Sequence, residues 1–245
     1  MKKLVGFVTA SLPNLNFTID LVSSMAEAGL DIVEIGAPFS DPVADGKIIE
    51  KASQEAIKAG FKFDDIFKIC KQVSNKIDTY TMGYANMFYR YGIENYIKKA
   101  NSVNIKGTLI PDMPFEEAIV YQDIQKRYGH KFIDFVAPTD DKRRIKHILQ
   151  YSSNFIYLVA YAGITGQNKQ TDLSQTIANI RQTTDTPVYL GFGVDENNAK
   201  EKSQNVDGVI VGSAFMRDIL DESLNFKEKL DIICSKTKKI KEQIC

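Results

Sequence analysis

Eight short runs rich in β-branched and apolar residues punctuate this chain, and a stretch of helical periodicity follows each of them. The runs are Lys3–Thr9, Asp31–Ile35, Asp78–Met82, Lys106–Ile110, Phe132–Val136, Phe155–Val159, Pro187–Leu190 and Asp207–Val211. Several are apolar at consecutive positions, as a strand must be when both faces of its sheet are buried. Between the runs, apolar residues recur with helical spacing, for example Phe17, Leu21, Val22 and Met25. Ala28-Gly29 and Ala59-Gly60 put Gly just past a helix end, where a left-handed cap is needed. No linker or composition shift divides the 245 residues, so 1–245 is expected to be one domain. Eight strand–helix units in one chain of about 250 residues predict an α/β fold, a (β/α)8 TIM barrel. The rival, a doubly wound sheet, wants G-x-G-x-x-G after its first strand. The chain reads Thr9-Ala10-Ser11-Leu12-Pro13 there, and Gly191-Phe192-Gly193 comes late and runs into Val194-Asp195-Glu196.

Composition narrows the class of function. Thirty-one basic and 31 acidic residues cancel to zero, without the basic excess of a nucleic-acid or anionic-membrane binder. No apolar run approaches the ~18 residues of a membrane-spanning helix. After Met1-Lys2-Lys3 the apolar run ends by Pro13, too early for a secretory signal. Cys70, Cys234 and Cys245 form no CxxC, which fits a reducing, cytoplasmic compartment and no zinc site.

In a (β/α)8 barrel the chemistry sits at the C-terminal ends of the strands and in the loops after them. The loop after the second strand, Glu34-Ile-Gly-Ala-Pro-Phe-Ser-Asp-Pro-Val-Ala-Asp-Gly46, is long and dense in Pro, Gly and Asp. Glu34 stands alone among Ile32, Val33, Ile35 and Ala37. A carboxylate on an apolar strand costs free energy unless it is paired or protonated. No neighbouring strand supplies an inward Lys, so Glu34 reads as an acid–base group with a raised pKa. Asp41 and Asp45 fit either turn formation or function. Ala162-Gly163-Ile164-Thr165-Gly166, Gly191-Phe192-Gly193 and Gly212-Ser213 end the last three strands, with Ser213 placed to cap a helix. Small residues there free backbone amides for an anion, and the loops after strands 7 and 8 commonly hold phosphate in this fold. His130 and His147 lie away from strand ends and read as packing or surface residues. No His or Cys cluster suits a metal, and no strand-end Lys suits Schiff-base chemistry. Asp112, in Ile110-Pro111-Asp112-Met113-Pro114, fits a helix cap or a contact residue equally. The expectation is a metal-free, cofactor-free barrel that acts on a phosphorylated substrate through carboxylates.

These residues closely resemble the tryptophan synthase α-subunit family, and the likeness covers nearly the whole chain. The segment from Glu34 to Gly46 carries it most specifically. Phe7-Val8-Thr9, Gly83-Tyr84-Ala85-Asn86, Asp112-Met113-Pro114 and the three Gly sites follow in the family's order. The resemblance implies a tryptophan-biosynthetic lyase that splits indole-3-glycerol phosphate into indole and glyceraldehyde 3-phosphate. By matching position, Glu34 protonates indole C3, and Asp45 bonds the indole N–H and balances the charge that develops there. Phe7, Met82, Leu109, Phe135, Tyr157 and Phe192 match the apolar indole pocket, and Thr165 matches the threonine of a mobile loop. Gly166, Gly193, Gly212 and Ser213 match the phosphate site. The resemblance also implies a β-subunit partner in an α-β-β-α heterotetramer. That partner carries pyridoxal phosphate (PLP), and the α chain needs no cofactor. The rim formed by Asp41, Pro42, Asn86, Asp112 and Pro114 would dock it, with Asp41 paired to a basic residue.

The chain departs from the family pattern in places. Tyr161 stands where many members have Arg, Gly6 where Pro is usual, and the first strand begins with little chain before it. A stand-alone indole-releasing lyase has the same site. A regulatory subunit that only activates its partner would be expected to lack Glu34 or Asp45, and a relative of indole-3-glycerol phosphate synthase would want a catalytic strand Lys.

Overall fold

The computed structural model describes residues 1–160 and 172–245. Its eight strands are β1 (Lys3–Thr9), β2 (Ile32–Gly36), β3 (Asp78–Met82), β4 (Gly107–Leu109), β5 (Asp134–Val136), β6 (Ile156–Val159), β7 (Val188–Gly191) and β8 (Gly208–Val211). They form one parallel sheet in the order β4-β3-β2-β1-β8-β7-β6-β5, with the helices outside it. The pairing of β1 with β8 rolls the sheet up, and the expected (β/α)8 TIM barrel is the fold observed.

All eight expected strands are present, but the two that flank the seam are shorter than the sequence predicted. β4 and β5 keep three residues each and share no ladder. They meet in a single bridge between Thr108 and Phe132. There the Thr108 amide donates to Lys131 O at 2.8 Å, and Thr108 O accepts from the Ile133 amide at 2.9 Å. One bridge makes no ladder, so Phe132 and Ile133 fall outside β5 although both meet Thr108, and Lys106 and Ile110 fall outside β4.

Aromatic rings fill the barrel where the neighbouring strand offers glycine. The Phe7 ring lies over Gly36, where an added Cβ would come within 2.3 Å of it. The Tyr157 hydroxyl lies over Gly191 at 2.2 Å from such a Cβ. Lower in the barrel Phe155 stacks on Tyr189 at 4.7 Å and meets Tyr80 edge-on at 5.2 Å. The wall cannot hold these rings and side chains beneath them at native packing density.

Outside the barrel, local chemistry sets the helix ends. The Asn14 side chain accepts from the Phe17 amide and starts helix Leu15–Glu27. Asn225 and Glu228 form a capping box at the head of helix Phe226–Ile244. That last helix is tied to the barrel floor. Lys241 Nζ donates to Lys2 O at 2.9 Å and to Asp31 at 2.6 Å, and Asp31 also accepts from the Leu4 amide at 2.8 Å. Burial opposes ionisation of Asp31, but the Leu4 amide and the Lys241 ammonium outweigh it and hold the carboxyl below its ordinary value.

Behind the seam, the Thr108 hydroxyl bonds with Tyr96 OH at 2.7 Å, His130 Nε2 at 2.8 Å and Thr81 Oγ1 at 3.1 Å. All four side chains are buried, and burial pushes His130 down to about 4, so it is neutral. As expected, His130 is a packing residue. Thr108→Val keeps the shape but leaves His130 Nε2 without its hydroxyl partner, while Thr81 and Tyr96 still bond each other. It should lower unfolding stability by ~1–3 kcal/mol, the cost of buried polar groups left unpaired. Urea denaturation with an unchanged m-value checks this, and a loss below ~0.5 kcal/mol would show that the seam does not depend on the network.

Candidate active site

The barrel mouth gathers two carboxyls around an aromatic pocket. β2 carries Glu34 inward, flanked in register by Phe7 on β1 and Tyr80 on β3. The side chain is 1% exposed, and its Oε1 has no hydrogen-bond partner among the described residues. Burial alone pushes its pKa up to about 8, so it carries a proton at neutral pH.

Asp45 lies at the far end of the loop after β2. Tyr84 OH donates to Asp45 Oδ2 at 2.9 Å and accepts from the Ala44 amide at 3.0 Å, while the Phe39 ring stacks on the Tyr84 ring at 5.0 Å. Burial raises the Asp45 pKa to about 6, with a smaller push from the Glu50 charge, against the lowering effect of the Tyr84 hydrogen bond. At neutral pH Asp45 is therefore mostly ionised where Glu34 is mostly protonated. Burial raises the Tyr157 hydroxyl pKa most, and the charges of Glu34 and Asp45 raise it further, so all three groups act on one space.

The expected pocket side chains lie on or just after β1, β3, β4, β5, β6 and β7. Met82 and Leu109 are register partners on β3 and β4, and both are buried. The Phe135 ring packs on Tyr157 at 4.9 Å, and Phe192 meets Tyr157 edge-on at 6.1 Å. Phe192 has φ +74°, a left-handed backbone that costs a bulky residue ~1–3 kcal/mol and is found where function fixes it. Gly193 follows with φ +69° and open space beside it. At Gly212 an added Cβ would meet Phe7 Cβ and Ile49 Cδ1, each at 3.3 Å.

Ser213 differs from its expected role. It is the first residue of helix Ser213–Ile219, Gly212 holds the cap position, and no side chain caps the helix. The chain turns at Gly212, one residue earlier than the sequence suggested, so Ser213 already has helical backbone. The Phe215 and Met216 amides bond Gly212 O, so those of Ser213 and Ala214 are the two with no helical acceptor. Thr165, Gly166 and Tyr161 lie outside the described residues, with the rest of 161–171.

Asp41, Pro42, Asp112 and Pro114 fall on the loops after β2 and β4, and Asn86 falls in the first turn of helix Ala85–Tyr91. Asp41, Asn86, Asp112 and Pro114 are exposed, Pro42 is half-buried, and Val43 beside it is 80% exposed. Asp41 accepts from Ser40 Oγ. Asp112 Oδ1 accepts from the Ala85 amide at 2.9 Å and so ties the loop after β4 to helix Ala85–Tyr91. Among the described residues no His, Cys, Asp and Glu group is placed to hold a metal ion, and no helix is long and apolar enough to cross a membrane.

Tyr84 is the site residue that sequence reasoning missed. The sequence offers it only within the segment Gly83-Tyr84-Ala85-Asn86, although its place just beyond β3 puts it beside the loop from the adjacent β2. Tyr84→Phe removes the bond that lowers the Asp45 pKa. The Asp45 titration should move above 6, and amides of 37–46 should exchange faster. Carboxyl-carbon NMR and hydrogen exchange check both, and an unmoved Asp45 would show that Tyr84 does not hold it.

Glu34 carries a stability consequence as well. Its raised pKa means that the folded state keeps a proton which the unfolded state has released above ~4.3. Wild-type stability should therefore fall relative to Glu34→Gln as pH rises from ~4.5 towards 8. A stability difference that stays flat over that range in denaturant titrations would place Glu34 in a more solvated setting.

A family model described as tryptophan synthase alpha chain matches residues 1–244. The chain is 48% identical over 245 residues to the tryptophan synthase alpha chain of Wolinella succinogenes, covering 100% of this chain and 96% of that one. It is 38% identical to that of Petrotoga mobilis over 94% of this chain and 90% of the relative. Among solved structures it is similar to the tryptophan synthase subunit alpha from Campylobacter jejuni, with TM-score 0.86 and 31% identity over 98% of this chain and 95% of that one. A Mycobacterium tuberculosis tryptophan synthase structure matches with TM-score 0.90 and 26% identity, covering 99% of this chain and 92% of that one.

Proposed function

The chain belongs to the tryptophan synthase alpha chain family, and we propose that it splits indole-3-glycerol phosphate into indole and glyceraldehyde 3-phosphate with Glu34 and Asp45 as its catalytic pair. The family's reaction is a carbon–carbon lyase step. The observation that carries the assignment of residues is the protonated Glu34, its Oε1 without a partner among the described residues, in aromatic surroundings that also feel the Asp45 charge.

The chemistry follows from those protonation states. Glu34 gives its proton to indole C3, and the ring takes up positive charge centred on its nitrogen. The Asp45 carboxylate accepts the ring N–H and stabilises that charge as it develops. The Glu34 carboxylate then takes the proton of the hydroxyl on the adjacent side-chain carbon. The carbon–carbon bond breaks, its electron pair returns to the ring, and the aldehyde forms. Glu34 ends protonated, as it began. Phe7, Met82, Leu109, Phe135, Tyr157 and Phe192 hold the indole ring. The backbone around Gly193, Gly212 and Ser213 binds the phosphate through free amides, and Gly166 and Thr165 belong to the substrate site by their match to the family.

The partner belongs to this reading. A tryptophan synthase β subunit docks on the rim of Asp41, Pro42, Asn86, Asp112 and Pro114, in an α-β-β-α assembly, and receives the indole. PLP is that subunit's cofactor, and this chain requires none. Residues 1–245 act as one cytoplasmic domain. A partner raises cleavage only by binding the loop-closed state better than the open one.

The test is an indole-release assay on indole-3-glycerol phosphate, with and without the β subunit. Glu34→Gln should lose ~10²–10⁴ of the rate with its fold intact. kcat/KM should be bell-shaped, falling below about 6 as Asp45 gains its proton and above about 8 as Glu34 loses its own. Asp45→Asn should bind phosphate but lose most turnover, and Asp41→Ala should reduce activation by the β subunit more than basal cleavage. Near-normal release by folded Glu34→Gln would overturn the assignment. No complex and no rate change with the β subunit would leave a stand-alone lyase.

A further inference from the structure

The barrel wall has a second opening besides its mouth. Beyond the Thr108 bridge β4 and β5 share no ladder, and a cavity of about 230 Å³ lies at the seam. Ile110, Phe115, Phe132 and Ile148 give it apolar walls, and Phe135 separates it from the barrel interior, since its ring also packs on Tyr157 at 4.9 Å.

The polar groups at the cavity divide into satisfied and unsatisfied. Arg144 is paired with Glu116 through both terminal nitrogens, and Asp140 accepts from the Ala137 amide at 2.7 Å. Asp134 also lines the cavity, yet its carboxyl accepts no hydrogen bond among the described residues. Burial pushes the Asp134 pKa up to about 7, and the Lys131 charge only partly offsets this. The cavity therefore sets the Asp134 carboxyl, open to accept a hydrogen bond, beside its apolar walls. Its volume falls below the ~300–1,000 Å³ of drug-sized sites, which limits an occupant to a small ring compound. The indole pocket uses the same recipe, aromatic walls with one carboxylate.

We propose that the seam cavity is a second binding site, outside the barrel, for a small flat arene with a single N–H donor, and that the product indole occupies it with its N–H on Asp134. The proposal rests on the reading that this chain releases indole. It gives the product a resting place behind Phe135 while the barrel holds substrate.

The experiment uses the full chain carrying Glu34→Gln, saturated with indole-3-glycerol phosphate so that the barrel is filled and turnover is suppressed. Indole is titrated in, and the methyl signals of Ile110 and Ile148 are followed by NMR. Saturable shifts at both are expected. Ala118→Trp fills the cavity from helix Phe115–Ala118 and should abolish them while leaving cleavage by an otherwise wild-type chain within twofold. Asp134→Leu should weaken indole about fivefold, the loss of one net hydrogen bond. Shifts that persist in Ala118→Trp, or that vanish once substrate fills the barrel, would overturn the proposal. If the chain neither binds nor cleaves indole-3-glycerol phosphate, the functional reading fails instead. The comparison of wild type with Ala118→Trp then still reads the cavity by indole alone.

Discussion

Glu34 has nowhere to put a charge. β2 delivers it into the barrel between Phe7 and Tyr80, and among the described residues no ammonium, guanidinium or amide reaches its Oε1. The cost of burying a bare carboxylate is avoided by keeping the proton, so a weak acid is held loaded at a pH where an exposed one is empty. The aromatic surroundings are as necessary as the carboxyl. A layer of smaller, polar residues would let water in and return Glu34 to its ordinary value. The glycines opposite Phe7 and Tyr157 make that dry layer possible.

Asp45 shows the complementary solution. It is also withdrawn from water, but the Tyr84 hydroxyl supports its charge, and its pKa stops at about 6 where that of Glu34 reaches about 8. Unequal burial and one phenol bring two groups of one chemical class to opposite protonation states. Such separation of acid and base by environment marks sites of proton transfer.

The barrel was legible because its signal is repetitive. Eight apolar runs in alternation with helical periods leave few arrangements, and each run fell on a strand. Glu34 was legible because a lone acid on an apolar strand breaks a local rule. What escaped depends on which residues meet across loops. Tyr84 and Asp45 are 39 positions apart, and their contact follows from loop geometry that periodicity does not encode. The splayed seam escaped because the β4 and β5 runs read like the others, and only the lost pairing above Thr108 sets them apart. The turn at Gly212 moved Ser213 inside its helix for a similar reason, since a single dihedral decides it.

The floor of the barrel has a consequence for biosynthesis. Lys241 reaches the carbonyl of Lys2 across 239 positions, and β1 pairs with β8, formed some two hundred residues later. During synthesis β1 therefore emerges with one neighbour, β2, and waits for the other with an open edge. An unpaired edge is a template for wrong partners. Closure also carries the entropy of the longest loop in the molecule, and such non-local pairings are slow to form. Helix Phe226–Ile244 is thus the latch on a ring that stays open until β8 and that helix have left the ribosome.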